Sequence, residues 1–426
     1  MPNKEKKAIK PSFQSVKGMH DILPQDQPYW EKVRKVAKEL ADYYNFSRID
    51  TPIVERAELF ERTSGESSEV VEKQMFVFKD KDGNRMALRP EGTAPVVRSY
   101  VQNGLSRLPH PLKLFYLLPM FRYEQPQAGR TRQHHQVGFE IIGDNSDPIY
   151  DAQTILVTYR LAEELKIPKL MVHVNSIGCK NCRPNYKKKL LDYYKNQEVC
   201  KDCKRRLTLN PMRVLDCKNE SCQPIKQNAP TTIDSLCSYC NNHFKSVLEY
   251  LEELKLPYTL NNSLVRGLDY YSRTVFELVS EGVDVSLGGG GRYDYLVEQI
   301  GGRPTAANGV GIGVERLILA MQKAGVQLTP KMKPKVFFIQ IGALAKKKSL
   351  PLIESLRKLN IEVLESLGKE ALKPQLRLAD KETAKLALIF GQKEAFEESI
   401  IIRDLQTGAQ ETVQLRKLVE EVKRRI

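Results

Sequence analysis

A chain of 426 residues with 41% hydrophobic side chains is long enough for about three domains, each with its own core. Its longest apolar stretches, KLFYLLPMF and KVFFIQIGAL, are too short or too interrupted to cross a bilayer. The basic start MPNKEKKAIK lacks the apolar run of a secretory signal, so a cytoplasmic protein with no membrane partner is expected. The net charge of +15 is uneven: residues 175–260 carry 15 Lys+Arg against 9 Asp+Glu and residues 331–426 carry 20 against 13, which leaves +2 for the other 244.

In chain order, the apolar spacing of Trp30, Val33, Ala37, Leu40 and Tyr44 predicts a helix over 28–44 with Pro28 near its start. RIDTPIVE then reads as extended, and KQMFVFKDKDGNRMALRPEGT as two strands joined at a DG turn, with a helix from about Ala94. Residues 113–142 read as a hairpin and IYDAQTILVTYRLAEELK as a helix. The Cys- and Lys-rich stretch that follows closes with a helix over Phe244, Val247, Leu248, Leu251 and Leu254. RTVFELVS and VDVSLG carry strand signals, and GVGIGVERLILAMQ reads as a glycine-rich strand turning into a helix. Pro330 and Pro334 among lysines suggest a linker, after which strands and helices alternate as in a small α/β domain. Neither GGGGR at 288–292 nor GVGIG at 309–313 fits a phosphate-binding GxxxxGK[ST] loop or a dinucleotide GxGxxG turn.

All eight cysteines fall in one short stretch, as Cys179–Cys182, Cys200–Cys203, Cys217–Cys222 and Cys237–Cys240. Three of these pairs are CxxC and one is CxxxxC; two thiolates three positions apart can grip one edge of a tetrahedral metal site, so two four-cysteine zinc sites, or one site and spare thiols, are candidates. Buried reduced cysteines or disulfides are the plainer alternatives. For the two basic segments, a polyanion bridging two lobes stands beside the plainer reading of solvated helices.

The hairpin tip FRYEQPQAGRTRQHHQVGFE, residues 121–140, places three arginines between two apolar strands. Alternate strand residues share a face, so Arg122 and Glu124 point together on the first strand, and His134, Gln136, Gly138 and Glu140 on the second, glycine leaving open space. A guanidinium fork meets phosphate oxygens two at a time, while carboxylates and an amide suit an amine or imidazole. Such a floor fits a ligand with both phosphates and amines.

FRYE, a loop, Arg130 and a flat residue four positions later resemble motif 2 of the class II aminoacyl-tRNA synthetases. GVGIGVERL, with Arg316 in the first turn of a helix, resembles motif 3, and the first long helix with the strand ending at Pro52 resembles motif 1. LVRGLDYYSRTVFE (264–277) and GGGRYDYLVEQIGG (289–302), with GMHDILP (18–24) and LRPEGTAP (88–95), resemble signature blocks of the histidyl-tRNA synthetase family. The resemblance implies an α+β chain: a class II antiparallel-sheet catalytic domain, an inserted Cys-rich and mainly helical domain, and a C-terminal α/β anticodon-binding domain. The corresponding limits are a basic tail at 1–17, core at 18–174, insertion at 175–260, core at 261–328, linker at 329–334 and anticodon-binding domain at 335–426.

It also implies a histidine–tRNA ligase that uses ATP with Mg²⁺, takes L-histidine and histidine tRNA, and works as a homodimer. Arg122, Arg266 and Arg316 would be catalytic, because charge gathers on the α-phosphorus as pyrophosphate leaves. ATP would meet Arg122, Glu124, Arg130, His134 and Arg316. Histidine would meet Glu91, Thr93, Arg122, Gln136, Glu140, Arg266, Tyr270 and Tyr271. The insertion would clamp the tRNA acceptor arm rather than edit.

Three positions depart from the pattern: Gln125 where Arg is frequent, His134 where Phe is usual, and Tyr295 where Gly is frequent. His135 and His173 read as structural, and His20 and His110 as loop residues. Two other functions compete: a catalytically silent, synthetase-like regulator that senses histidine, and a zinc-dependent nucleic-acid-binding protein.

Overall fold

The computed structural model describes residues 13–65, 68, 70–127, 129–328 and 336–426, and they form two compact units divided between Gln327 and Leu328. The linker 329–334 and most of the basic tail 1–17 lie outside the described residues.

In the first unit the helix Gln27–Tyr43 buries Trp30, Val33, Val36, Ala37, Leu40 and Ala41, the stripe expected from the spacing; Tyr44 caps the helix instead of extending that face. The strands, in chain order, are β1 (Ser47–Arg48), β2 (Val54–Arg56), β3 (Phe76–Lys79), β4 (Arg85–Leu88), β5 (Leu112–Phe121), β6 (Gln133–Ile142), β7 (Leu170–Ser176), β8 (Tyr258–Leu260), β9 (Ser272–Ser280), β10 (Gly288–Arg292) and β11 (Ala307–Gly313). Eight of them make one sheet in the order β1-β5-β6-β11-β10-β9-β7-β8, and β2-β4-β3 make a small one. The inner pairs are antiparallel; only the two edge pairs, β1 with β5 and β7 with β8, are parallel. Both sides of the insertion therefore connect to core strands: β7 carries the sheet through Ser176, and β8 rejoins it at Tyr258.

GGGGR, read above only as failing two phosphate-loop patterns, is the fully buried strand β10. Glycine is a poor strand former because it loses most backbone entropy on ordering. Here the close approach of groups on both sides requires it: a Cβ on Gly289 would stand 2.5 Å from a guanidinium nitrogen of Arg266. VDVSLG, expected as a strand, is a bent segment that joins β10 only at Gly288.

The helices Pro148–Glu164 and Ser238–Glu253 pack together on the sheet. Beneath them Arg292, with no exposed side-chain surface, pairs with Asp144, Asp151 and Asp294, and Asp151 also meets His243 at 3.3 Å. A buried ion set of this kind is tolerated only when every charge has partners.

The second unit has five strands in the order 363–365, 336–340, 386–390, 399–404 and 410–414. The first three are parallel and the last two antiparallel. Val336–Gln340 and Leu386–Phe390 are buried throughout, as strands covered on both faces must be, and the helices Ala343–Arg357, Leu372–Lys381 and Leu418–Arg425 accompany them. No helix among the described residues is long and apolar enough to cross a membrane.

Candidate active site

Arg122, Arg266 and Arg316, widely separated in sequence, open onto one cleft of about 840 Å³. Glu91, Thr93, Glu124, Arg130, His134, Gln136, Tyr270 and Tyr271 line the same cleft. Of the residues expected to meet ATP or histidine, Glu140 alone stands behind the wall.

The hairpin supplies the floor, with one change from the expected geometry. The strand β5 ends at Phe121, so Arg122 and Glu124 lie beyond it and do not share a strand face. They reach the cleft by other means. The Arg122 amide donates to the Arg132 carbonyl at 2.8 Å, its Nε donates to the Pro90 carbonyl at 2.7 Å, and Glu124 sits between two guanidiniums, 3.9 Å from Arg122 and 4.0 Å from Arg130.

On β6 the space expected beside Gly138 is filled. Tyr116 pairs across the hairpin with Gly138, and a Cβ there would stand 2.0 Å from the Tyr116 ring. The ring thus occupies the slot between Gln136 and Glu140. Tyr116 lines the cleft and was missed, although counting the register back from the tip would have placed it opposite Gly138.

Glu140 is fully buried. Its carboxyl takes the hydroxyls of Thr93 at 2.7 Å, Tyr293 at 2.5 Å and Tyr116 at 3.3 Å. Burial pushes its pKa up to about 8, with the nearby Glu91 adding to the rise. It positions Thr93 and Tyr116, which do face the cleft. Glu91 is also buried, accepting the amides of Thr93 at 2.6 Å and Ala94 at 2.8 Å, and burial raises its pKa. A buried carboxyl of raised pKa is well suited to take a ligand ammonium, whose charge would return it to the ionised form.

The cationic side carries the opposite tension. Arg316 enters from the first turn of the helix Val314–Lys323 and donates to the carbonyls of Gly129 at 3.1 Å and Ser286 at 2.8 Å. Burial first, then the like charges of Arg122 and Arg130, lower its pKa. Arg266 is ion-paired with Glu277 and lies 5.7 Å from the Tyr271 ring centre, yet its Nε and that of Arg130 are buried without a hydrogen-bond partner among the described residues. Crowded, partly unpaired guanidiniums are what an anionic ligand would satisfy.

His134 is held neutral: burial, then Arg122 and Arg316, press its pKa down to about 3. A neutral imidazole can lie against a base as a flat ring. His135 faces away, its Nδ1 meeting Glu315 at 2.9 Å and its ring edge-on to Trp30 at 4.8 Å, in keeping with a structural role. His173 is half-buried on β7, His20 is an exposed loop residue, and His110 lies in the turn before β5, where Tyr100 meets its Nε2 at 2.8 Å. Gln125 is exposed in the loop after Arg122. Tyr295 now has a physical account: its hydroxyl accepts the Lys180 amide at 3.4 Å and its ring takes the Lys180 ammonium at 4.0 Å, tying the core to the insertion. Glu277, Glu315 and Tyr293 are further site residues that the sequence motifs contain but that no spacing rule singled out.

The eight cysteines fall into two sets, Cys179, Cys182, Cys237 and Cys240, and Cys200, Cys203, Cys217 and Cys222, with the sulfurs of each set within 4.8 Å of one another. Sulfur separations of 3.6 and 4.0 Å in the first set and 3.8 Å in the second bracket the roughly 3.8 Å edge of a tetrahedron with zinc–sulfur bonds of about 2.3 Å. The amides of Cys237 and Cys200 donate to Cys182 and Cys222 sulfurs at 3.1 and 3.3 Å, the kind of support a metal thiolate needs.

A largely antiparallel sheet, one arginine rising from its hairpin and another from the helix after its glycine-rich strand, define the catalytic fold of the class II aminoacyl-tRNA synthetases. The histidyl-tRNA synthetase family model matches residues 18–181 and 189–317, and an anticodon binding domain model matches 335–425. The chain belongs to the histidyl-tRNA synthetase family. It is 44% identical to the histidine–tRNA ligase of Dehalococcoides mccartyi over 418 residues, covering 97% of this chain and all of the relative. Against the Aquifex aeolicus histidine–tRNA ligase it is 44% identical over 409 residues, 96% of this chain and all of the other. The apo Staphylococcus aureus histidyl-tRNA synthetase superposes with a TM-score of 0.79 at 33% identity, covering 96% of this chain and all of that one. A Bacillus halodurans structure titled as an ATP phosphoribosyltransferase regulatory subunit/histidyl-tRNA synthetase shares the fold, with a TM-score of 0.64 at 21% identity over 90% of this chain and 99% of that one.

Proposed function

We propose that this cleft joins the carboxylate of L-histidine to the α-phosphate of ATP and passes the activated histidyl group to the 3′ end of histidine tRNA. The observation that carries the reading is the convergence of Arg122, Arg266 and Arg316 on one cavity that also holds Glu91, Gln136, Tyr270 and Tyr271.

Arg122 and Arg266 face each other across the reacting centre, where fixed cations stabilise charge as it develops. Arg130 and Arg316 take the β- and γ-phosphates, and Mg²⁺ bound with ATP would add neutralising positive charge. His134 lies against the adenine, and Glu124 accepts from its exocyclic amine. Glu91, Thr93 and Gln136 take the α-amino group, and Tyr270 and Tyr271 line the imidazole pocket with Glu140 acting through Thr93 and Tyr116. A pocket that must satisfy both imidazole nitrogens rejects an amino acid lacking them by about 10⁴-fold or more.

The two basic segments, the insertion and the C-terminal unit, receive the tRNA acceptor and anticodon arms. The cysteines of the insertion hold structural zinc. The domain limits given above, a homodimer and a cytoplasmic location belong to the same reading. A silent regulatory relative is disfavoured because the full set of arginines is present and a family anticodon domain spans 335–425.

Histidine-dependent ATP–pyrophosphate exchange, followed by charging of purified histidine tRNA, tests the proposal; a folded protein without exchange would be a regulator. Binding of tRNA should weaken steeply with salt if both basic segments touch phosphates, and a flat response would remove the insertion clamp. Light scattering reads the dimer directly.

A further inference from the structure

We infer that the two cysteine sets are two separate zinc sites, and that each braces one part of the loop 264–273 that carries Arg266, Tyr270 and Tyr271. The inference rests on the structural-zinc reading above and adds to it a reason for the insertion to be metal-bound: its metals position the histidine pocket.

The loop forms no helix, and its only strand residues are Ser272 and Arg273 at the start of β9. A segment of this kind must find partners for its polar backbone outside itself. Several of them come from the insertion, and those at the far end of the loop sit beside metal-site cysteines. Arg183 follows Cys182 directly and donates to the Tyr271 carbonyl. Tyr239, between Cys237 and Cys240, takes the Arg273 guanidinium on its ring face at 4.6 Å. The Arg273 amide donates to Gly178, the residue before Cys179, at 3.0 Å. The first cysteine set therefore holds the far end of the loop.

The second set holds its middle. Cys203 and Cys217 close a segment whose turn presents Asn210 and Arg213. Arg213 Nη2 donates to the Gly267 carbonyl at 2.8 Å and to Asp269 at 3.0 Å, and Asn210 donates to Asp269 at 3.2 Å. Asp269 in turn donates its amide to Ser64 at 3.2 Å. Behind these contacts Val214, Leu215, Cys217 and Cys222 belong to one apolar cluster with Leu264, Val265 and Tyr271. Metal at the second site fixes where Arg213 stands, and Arg213 fixes the residue after Arg266. Arg183 and Arg213 are positioning residues; neither reaches the reacting atoms.

The test uses the full chain purified without chelator. Zinc analysis should return two equivalents per chain. Stripping the zinc with a chelator should speed hydrogen exchange at the Asp269 and Arg273 amides, on the order of tenfold or more, and zinc alone should restore it. Arg213→Ala, which leaves every cysteine in place, should keep both zinc ions and raise the KM for histidine about tenfold, the size of a lost charged hydrogen bond, with the KM for ATP unchanged. Arg213→Lys should recover part of it. Two zinc ions with unchanged exchange on their removal, or an unchanged histidine KM in Arg213→Ala, overturns the bracing while leaving structural zinc in place. One equivalent overturns the two-site form, and less than half an equivalent overturns the zinc reading itself.

Discussion

Arg266→Ala separates the roles assigned to the cleft most sharply. The guanidinium is mostly buried, ion-paired with Glu277 and stacked near Tyr271, and its Nε has no hydrogen-bond partner among the described residues. Its removal leaves the Glu277 side chain alone, but that carboxylate keeps 28% of its surface in water and can rehydrate. The stability cost should therefore stay near 1–2 kcal/mol. Against a usual domain stability of about 5–15 kcal/mol the fold survives. The catalytic loss is larger, about 10²–10³-fold or roughly 2.7–4 kcal/mol, because a cation aimed at developing charge contributes most in the transition state. Histidine-dependent pyrophosphate exchange should fall by that factor while tRNA affinity stays within about twofold. The double variant Arg266→Ala/Glu277→Gln should be no better; recovery there would mean that the defect was an unpaired carboxylate. A loss below tenfold, or an equal loss of tRNA binding, would refute the assignment.

Three further outcomes follow from the same geometry. Gly289→Ala puts a Cβ into the space of the Arg266 guanidinium and should lower exchange by about tenfold or more with an unchanged circular dichroism spectrum; wild-type activity would show that the guanidinium can move freely. Glu140 holds a proton in the folded protein up to about pH 8, whereas the unfolded chain releases it near its ordinary value of 4.5. Stability from this group therefore falls as pH rises through that window, by up to about 1.4 kcal/mol per unit, and urea midpoints of Glu140→Gln should lose that slope. Parallel slopes for the two proteins would show the carboxyl is ionised. Because His134 stays neutral to about pH 3, the KM for ATP should show no imidazole inflection between pH 5.5 and 8, and His134→Phe should preserve it. His134→Ala should raise it about tenfold, the worth of a ring stacked on a base, and an unchanged KM would remove His134 from the adenine site.

Local patterns made most of the elements legible. The stripe of Trp30, Val33, Ala37 and Leu40 declares its helix, the DG turn joins its two strands as expected, and the final unit's alternation of strand and helix reads directly as α/β. FRYE with Arg130, LVRGLDYYS and VERL are legible as family motifs, and through that resemblance the sequence points to the reaction and to arginines that the fold brings to one cleft. Eight cysteines in four close pairs, three of them CxxC, likewise announce metal-binding potential, because two thiolates three apart can share one ion.

Pairings across long separations were decided only by the tertiary structure. Spacing gives no rule for which cysteine pair joins which; folding put Cys179–Cys182 with Cys237–Cys240 and Cys200–Cys203 with Cys217–Cys222. The glycine strand β10 contradicts local propensity because what crowds it comes from elsewhere in the chain: the Arg266 guanidinium at Gly289, and the neighbouring strands at Gly290 and Gly291. Glu140 alternates correctly with Gln136, yet it is sealed from the cleft by Tyr116, a residue from the opposite strand. Side-chain alternation is set by backbone geometry within a few residues, whereas burial, charge state and the filling of a space depend on atoms that arrive from elsewhere in the chain.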